Sequence, residues 1–139
     1  GRGKIGSFVI DSIEELTISK IDKAPLLNNQ FIDDEWGGAN ELHIVDNKIV
    51  VLSHIANFDS EGNRHYYAML FDLSKDYTTV ENPRIIAERE DFLPGEVKRA
   101  DLEDVVFSGG LIINKNVGVL YAGISDAEAQ KIEIRNLFN

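Results

Sequence analysis

The sequence contains no cysteine, which excludes disulfide bonds and metal sites that need thiolate ligands. Positive charge is also scarce: 14 Lys and Arg residues stand against 24 Asp and Glu residues, and the formal net charge is −10. A surface with this charge repels a phosphate backbone, so no nucleic acid partner is expected.

Long apolar runs are absent as well. Apolar runs such as residues 49–52 and 111–113 are far shorter than a membrane-crossing helix needs. No basic segment followed by an apolar one opens the chain, so no membrane partner is expected and a cytoplasmic location is the default prediction. The first residue is Gly1 rather than Met, which fits a processed product, an engineered piece or a fragment.

The composition is that of an ordinary globular chain, with 139 residues of which 43% are hydrophobic. Its apolar segments are short and rich in β-branched and aromatic residues, which favours strands. We predict strands at residues 5–10, 16–21, 41–45, 49–55, 64–73, 84–87, 105–107, 111–113, 117–123 and 131–135. The best helix candidate, residues 125–130, is shorter than two helical turns. The predicted fold class is therefore all-β.

Two stretches of the chain, 36–54 and 104–122, share the pattern of a strand, a short polar turn and a second strand. A constant offset of 68 (119 − 51) superposes Val51 on Val119 and Leu52 on Leu120 without a gap. Repeated sheet units of this length are typical of propeller blades. We predict about two blades, at residues 31–92 and 101–139, with residues 1–30 as the end of a preceding blade.

Two local patterns resemble ligand sites but lack the context that such sites need. Residues 1–6 carry the Gly-x-Gly-x-x-Gly letters of a dinucleotide fingerprint, but a strand-like run follows where a helix is required. His43, His54 and His65 are spaced by eleven residues, without the close pairing of a metal site. No cofactor and no metal are predicted.

Acidic residues lie where predicted strands begin or end, among them Glu35, Glu41, Asp101, Asp104 and Asp126. Two carboxylates, one with a raised pKa, form the general apparatus for cleaving glycosidic bonds. Capping and turn formation is the other interpretation of such acids. Spacing alone leaves both interpretations open.

Cations cluster at two places, Arg64-His65-Tyr66-Tyr67 and Lys98-Arg99. A compact basic spot beside aromatic side chains suits an anionic or polyhydroxyl ligand, because Arg offers a planar donor fork and Tyr a stacking face. Ion pairing with neighbouring acids is the alternative, and the residues favour the two equally.

Six segments taken in order carry a family resemblance: 36–40, 51–56, 64–67, 84–89, 104–110 and 119–126. They comprise a glycine-rich start after Trp36, a strand ending in His54, an aromatic strand, then Val-Val-Phe-x-x-Gly and Tyr-x-Gly-x-x-Asp. This order resembles the later blades of the glycoside hydrolase family 130 propellers. It is most similar to a relative of that family, the domain of unknown function 1861.

The resemblance implies a five-bladed β-propeller whose active site lies at the central channel and cleaves β-mannosides or related oligosaccharides by phosphorolysis or hydrolysis. It implies that His54 faces the donor-side pocket, that Tyr66 or Tyr67 lines it, and that Asp126 hydrogen-bonds the sugar. With the acids and cations above, the predicted substrate-binding residues are Asn40, Glu41, His54, Arg64, His65, Tyr67, Asp104 and Asp126.

Two departures from the family pattern bear on the chemistry. The family's proton-donating Asp belongs to an early blade ahead of this chain, so the chain alone is expected to be inert. Where phosphorylases carry a basic residue before the glycine-rich segment, this chain has Asp34 and Glu35. A carboxylate there would repel phosphate and activate water, so hydrolysis is favoured, with Glu35 as the general base.

The leading prediction is the C-terminal part of a glycoside hydrolase-like enzyme acting on β-mannoside-type or related oligosaccharides. The alternative is a non-catalytic carbohydrate-binding or interaction module that uses exposed blade edges. The expected partners are an oligosaccharide or sugar-like small molecule, together with a complementary N-terminal segment or self-association through blade edges.

Overall fold

Strands fill most of the chain in the computed structural model, which describes residues 3–138. In this range the structure has seven strands: β1 (Trp36–Val45), β2 (Lys48–Phe58), β3 (Arg64–Leu73), β4 (Val80–Ala87), β5 (Val106–Asn114), β6 (Val117–Ile124) and β7 (Glu128–Arg135). They form two antiparallel sheets, one in the order β1-β2-β3-β4 and one in the order β5-β6-β7.

Helical structure is limited to short pieces. The α-helix of the described range is α1 (Ile18–Asp22), and 3-10 turns lie at Ile13–Glu15, Arg89–Asp91 and Ala100–Leu102. None of these helices is long and apolar enough to cross a membrane. Gly1 and Arg2, which begin the fingerprint-like motif, lie outside the described residues, as does Asn139 at the end of the second predicted unit.

The two sheets repeat the same hairpin, but with an offset of 69 rather than the predicted 68. The β1–β2 turn at Asp46 and Asn47 corresponds to the β5–β6 turn at Lys115 and Asn116, and 115 − 46 is 69. A β-bulge interrupts the first strand of each sheet at the matching place, between Ala39 and Glu41 in β1 and between Ser108 and Gly110 in β5.

The offset matters because a slip of one residue moves every side chain to the other face of a strand. An offset of 69 places Leu120 on Val51. Val51 packs against the N-terminal segment, in a cluster with Ile5 and Leu27, while Leu120 packs against the first sheet, in a cluster with Leu52. Equivalent faces of the two sheets thus both pack against the part of the chain that precedes the sheet: the N-terminal segment for the first sheet and the first sheet for the second.

The main core lies between the two sheets. Leu52 and Leu70 from the first sheet and Leu120 and Ile124 from the second are fully buried there. Two polar contacts cross the same interface. The Ser108 hydroxyl donates to the Ser53 carbonyl oxygen at 2.9 Å, and the Leu111 amide donates to the Glu41 carboxylate at 2.7 Å. Burial of polar atoms is tolerated there because each has a partner.

Several predicted elements are wrong. Residues 16–21 were expected to be a strand, yet 18–22 are helical, with the Thr17 hydroxyl accepting the Lys20 amide. The apolar pattern was ambiguous because Ile18 and Ile21 lie three residues apart, which also fits one face of a helix. Residues 5–10 form only an isolated bridge, from Gly6 to Leu26.

The second sheet differs from prediction at two places. Residues 125–130 are a turn followed by β7 rather than a helix, because Ser125 and Asp126 both take positive φ angles that end the strand and reverse the chain. The predicted strands 105–107 and 111–113 are one strand, β5, since the bulge at its glycines lets pairing continue through them.

Gly37 offers a test of the β1–β2 pairing. A Cβ atom on Gly37 would overlap the His54 carbonyl oxygen and lie 2.5 Å from Cζ of Phe31. Gly37→Ala is therefore expected to lower the free energy of unfolding by about 1–3 kcal/mol in urea denaturation. Gly123→Ala is the matched control, because its Cβ would lie 3.9 Å from the nearest atom. Equal stabilities of the two variants would contradict this account.

Candidate functional site

One end of the two sheets gathers nearly all the predicted site residues. The strands are antiparallel, so the starts of β1, β3 and β5 and the ends of β2, β4 and β6 share this end. We call it the site end. The connector that joins β4 to β5, residues 88–105, also lies there. The site end holds Glu35, Asn40, His54, Arg64, His65, Tyr67, Asp104 and Asp126.

His54 lies near the end of β2 and is held by a polar partner and two rings. Its Nδ1 is 3.0 Å from Oδ1 of Asn40, the bulge residue of β1. The ring stacks on Tyr66 with centroids 5.7 Å apart and contacts Phe107 of the second sheet at 4.8 Å. Burial lowers the pKa of His54, which favours the neutral imidazole.

The tautomer of His54 follows from its contact with Asn40. An amide oxygen accepts, so Nδ1 carries the proton in this arrangement and Nε2 keeps its lone pair. Gly38 lies directly opposite His54 in the register, and a Cβ there would approach Cε1 of the ring to 3.1 Å. The glycine-rich start of β1 thus makes room for the imidazole.

An aromatic group supports this imidazole. The Trp36 indole N–H donates to the Tyr66 hydroxyl at 3.1 Å, and the two rings meet edge to face. Trp36 also packs against Phe58, whose ring lies below the Arg64 guanidinium. Aromatic side chains beside a hydrogen-bonding group are typical of pockets for small polar ligands.

A second cluster is centred on Asp104. Its Oδ2 accepts from the Tyr67 hydroxyl at 2.7 Å and lies 2.5 Å from Nδ1 of His65. On the other side, Nε2 of His65 is 3.4 Å from Asp59. Hydrogen bonding to Asp104 is the main cause that raises the pKa of His65, which favours the charged imidazolium.

The neighbours of His65 respond to the same arrangement. Burial raises the pKa of Tyr67 above its ordinary value, and the Asp104 carboxylate raises it further, so the phenol stays protonated as a donor. Hydrogen bonds from Asn63 lower the pKa of Asp59 to about 2. Both nitrogens of His65 therefore face carboxylates, which leaves Nε2 of His54 as the better placed histidine acceptor.

The cationic residues are mostly engaged by acids. Arg64 pairs with Asp101, which also binds Arg99. Asp126, at the turn after β6, pairs with Lys98 at 2.5 Å, and that hydrogen bond lowers the pKa of Asp126. In the structure, Arg64, Lys98 and Arg99 thus form ion pairs with neighbouring acids, as the alternative interpretation of these basic residues predicted.

Glu41 and Glu35 differ from the rest. The Glu41 carboxylate of β1 accepts from the Leu111 amide of β5, a contact that joins the two sheets. Glu35 lies just before β1, and its Oε2 accepts the Ile32 amide at 3.1 Å, closing a turn. Within residues 3–138, no hydrogen bond or ion pair therefore joins either carboxylate to His54 or Asp104.

Open clefts lie at both ends of the sheets. One of about 740 Å³ lies at the site end, beside Tyr67, Asp104 and Phe92. Another of about 780 Å³ lies at the opposite end, beside His43 and Phe138. In residues 3–138, no three His, Asp or Glu side chains are grouped so that they could hold a metal ion.

Comparison with known proteins places the chain in a family. The family model described as protein of unknown function (DUF1861) matches residues 1–139. The chain belongs to this family. No curated protein is similar enough in sequence to match this DUF1861 chain.

Solved structures share its fold. The mannose phosphorylase MPT-4 from Leishmania mexicana, in complex with phosphate ion, is 28% identical with a TM-score of 0.87, over 97% of this chain and 44% of that one. The GDP-Man-dependent mannosyltransferase MPT-1 from Leishmania mexicana is 25% identical with a TM-score of 0.85, over 98% of this chain and 46% of that one.

A hypothetical protein from Leishmania major is 28% identical with a TM-score of 0.85, over 98% of this chain and 45% of that one. The DUF1861 chain thus spans less than half the length of each of these proteins. The expected fold class is confirmed: the two sheets are blades of a β-propeller.

Sequence reasoning missed Phe107 as a site residue, although Val-Val-Phe-Ser-Gly-Gly was part of the family pattern. Phe107 lies at the start of β5 and is exposed, although the residues before and after it, Val106 and Ser108, are buried. An aromatic residue two positions before a pair of glycines, Gly109 and Gly110, is the sequence signal that could have indicated it.

The two site histidines should have opposite effects on pH stability. The raised pKa of His65 stabilises the fold below the ordinary value of 6.5, and this contribution is lost as pH rises through the folded pKa. His65→Gln should therefore cost more stability at about pH 5.5 than at about pH 8.5 in urea unfolding.

His54 is the matched control, because its lowered pKa makes folding less favourable as pH falls. The stability of the wild-type chain relative to His54→Gln should therefore decrease on acidification. Parallel pH profiles for the two variants would refute the assigned charge states.

Proposed function

We propose that this chain forms part of the active centre of an enzyme that processes mannosides, and that the site end binds the sugar. The observation that carries the proposal is His54, a half-buried imidazole held by Asn40 and in contact with the Tyr66 and Phe107 rings, whose Nε2 has no hydrogen-bond partner among residues 3–138. Sugars offer hydroxyl donors and apolar C–H faces, which match such a nitrogen and such rings.

The comparisons support the same class of substrate. Two proteins that share the fold are named for mannose chemistry, one as a phosphorylase and one as a mannosyltransferase. Fold alone does not fix function, so the residues at the site end carry the argument. Asn40, Arg64, Tyr67, Asp104 and Asp126 are proposed to contribute to sugar binding, directly or by holding their neighbours in place.

We further propose that water, rather than phosphate, cleaves the glycosidic bond. Asp34 and Glu35 precede β1, and their negative charge disfavours a phosphate ion there. Glu35 uses one oxygen to accept the Ile32 amide, which fixes the carboxylate and leaves the second oxygen for a water molecule. The carboxylic acid that protonates the leaving group would come from a segment outside this chain.

A non-catalytic carbohydrate-binding or interaction module is the second candidate. Its support is the outer edge of β7, which has no neighbouring strand in the described sheet, and the exposed apolar residues Leu42, Ile44 and Ile112. A complementary N-terminal segment or a second copy could cover these surfaces. A carbohydrate-binding module would also bind sugar, whereas an interaction module would bind a partner chain through its blade edges. Only the first candidate predicts turnover.

Sugar binding is tested by saturation-transfer NMR and titration of the chain with methyl β-mannoside. His54→Phe keeps a ring between Tyr66 and Phe107 but removes the acceptor nitrogen, so affinity should fall about tenfold. His43→Phe, at the opposite end of the same hairpin, is the control and should bind like the wild-type chain. Unchanged affinity of His54→Phe would contradict the proposal.

The reaction is tested on the natural polypeptide in which these 139 residues occur. A β-linked mannobiose is supplied with and without inorganic phosphate, and the expected product is free mannose in both cases. Glu35→Gln should lower kcat by about 10²-fold to 10⁴-fold because a general base is lost. The neighbouring Asp33→Asn serves as control, and mannose 1-phosphate as the main product would refute hydrolysis.

A further inference from the structure

Phe107 is an aromatic residue that the fold leaves open to solvent beside the proposed sugar site. It is the second residue of β5, and 45% of it is exposed, whereas Val106 before it and Ser108 after it are buried. A single exposed apolar side chain needs no explanation in general. Its position against His54, with ring centroids 4.8 Å apart, distinguishes this one.

The surroundings of Phe107 lack side chains where a strand would normally have them. Its partner across the β5–β6 pair is Gly123, and a Cβ added there would lie 3.9 Å from the Phe107 Cβ. The residue two positions along the strand is Gly109. One side of the ring contacts His54, and the position directly opposite Phe107 and the position two residues along its strand both hold glycines.

The chemistry of pyranosides specifies what such a ring can select. In the chair form of a β-linked mannoside, the axial hydrogens on C1, C3 and C5 all point to one face, and the axial hydroxyl on C2 points to the other. The electron-rich face of an aromatic ring attracts these slightly positive hydrogens. An α-linked mannoside places its axial glycosidic oxygen on that same face, which separates it from the ring.

We propose that Phe107 is the stacking platform of the sugar subsite and that it selects β-linked over α-linked pyranosides. This inference rests on the sugar binding proposed above and adds the residue that would be responsible for selecting the β linkage. The His54 ring contacts the Phe107 ring, so a sugar stacked on Phe107 would bring a hydroxyl at its edge near the imidazole, whose Nε2 can accept a hydrogen bond. Phe107 thus determines specificity through contact with the sugar, without a part in proton transfer.

The test compares methyl β-mannoside with methyl α-mannoside, titrated by NMR into the wild-type chain and its variants. The wild-type chain should prefer the β anomer, with the strongest saturation transfer to the hydrogens on C1, C3 and C5. Phe107→Ala should weaken binding of the β anomer about fivefold to tenfold and leave the α anomer nearly unchanged. Phe107→Tyr should retain the preference, because it keeps the ring.

Ile112→Ala is the matched control, since Ile112 is an exposed apolar residue farther along the same strand. It should leave both affinities unchanged. Binding of both anomers with equal affinity, or an anomeric preference that survives Phe107→Ala, would overturn the inference while the proposed sugar site stands. Failure of the wild-type chain to bind either anomer would overturn the sugar site and the inference together.

Discussion

Asp104 fixes how the second sheet begins relative to the first. Its carbonyl oxygen accepts the Tyr66 amide at 3.0 Å, and its carboxylate binds Tyr67 and His65. These contacts attach the end of a long connector to the start of β3. The next residues enter β5, so the position of Phe107 against His54 depends on where Asp104 is held. The histidine with the raised pKa therefore stabilises the frame in which the neutral histidine lies.

The two hairpins share a backbone plan but divide the chemistry unequally. At the structural offset of 69, Asn40 corresponds to Gly109 and His54 to Gly123. The first hairpin thus provides polar side chains where the second provides space. Because the glycines lie next to Phe107, the second hairpin contributes an open ring rather than hydrogen bonds. The repeated hairpin fixes the backbone geometry. The residues that differ between the two hairpins give the site one polar side, from the first hairpin, and one aromatic side, from the second.

Sequence patterns predicted the strands well where alternation was strong, as in β3, whose bounds match the prediction. They failed at 16–21, because two isoleucines three residues apart fit either element, and in the register of the repeat, because neighbouring strand residues are all apolar. The family pattern directed attention to His54 and Tyr67. It did not reveal that Asp104 joins His65, since that contact spans 39 positions and depends on how the connector folds.

The ends of the sheets away from the site are closed by tight turns. At Asp46 and Asn47 both residues take positive φ angles and are exposed, and the matching turn contains Lys115. Short exposed turns accept inserted residues more readily than paired strands do. A fluorophore or an affinity handle placed at 46–47 would therefore report on the molecule without touching the ligand-facing groups, and a surface immobilised there would leave the opposite rim open to solution.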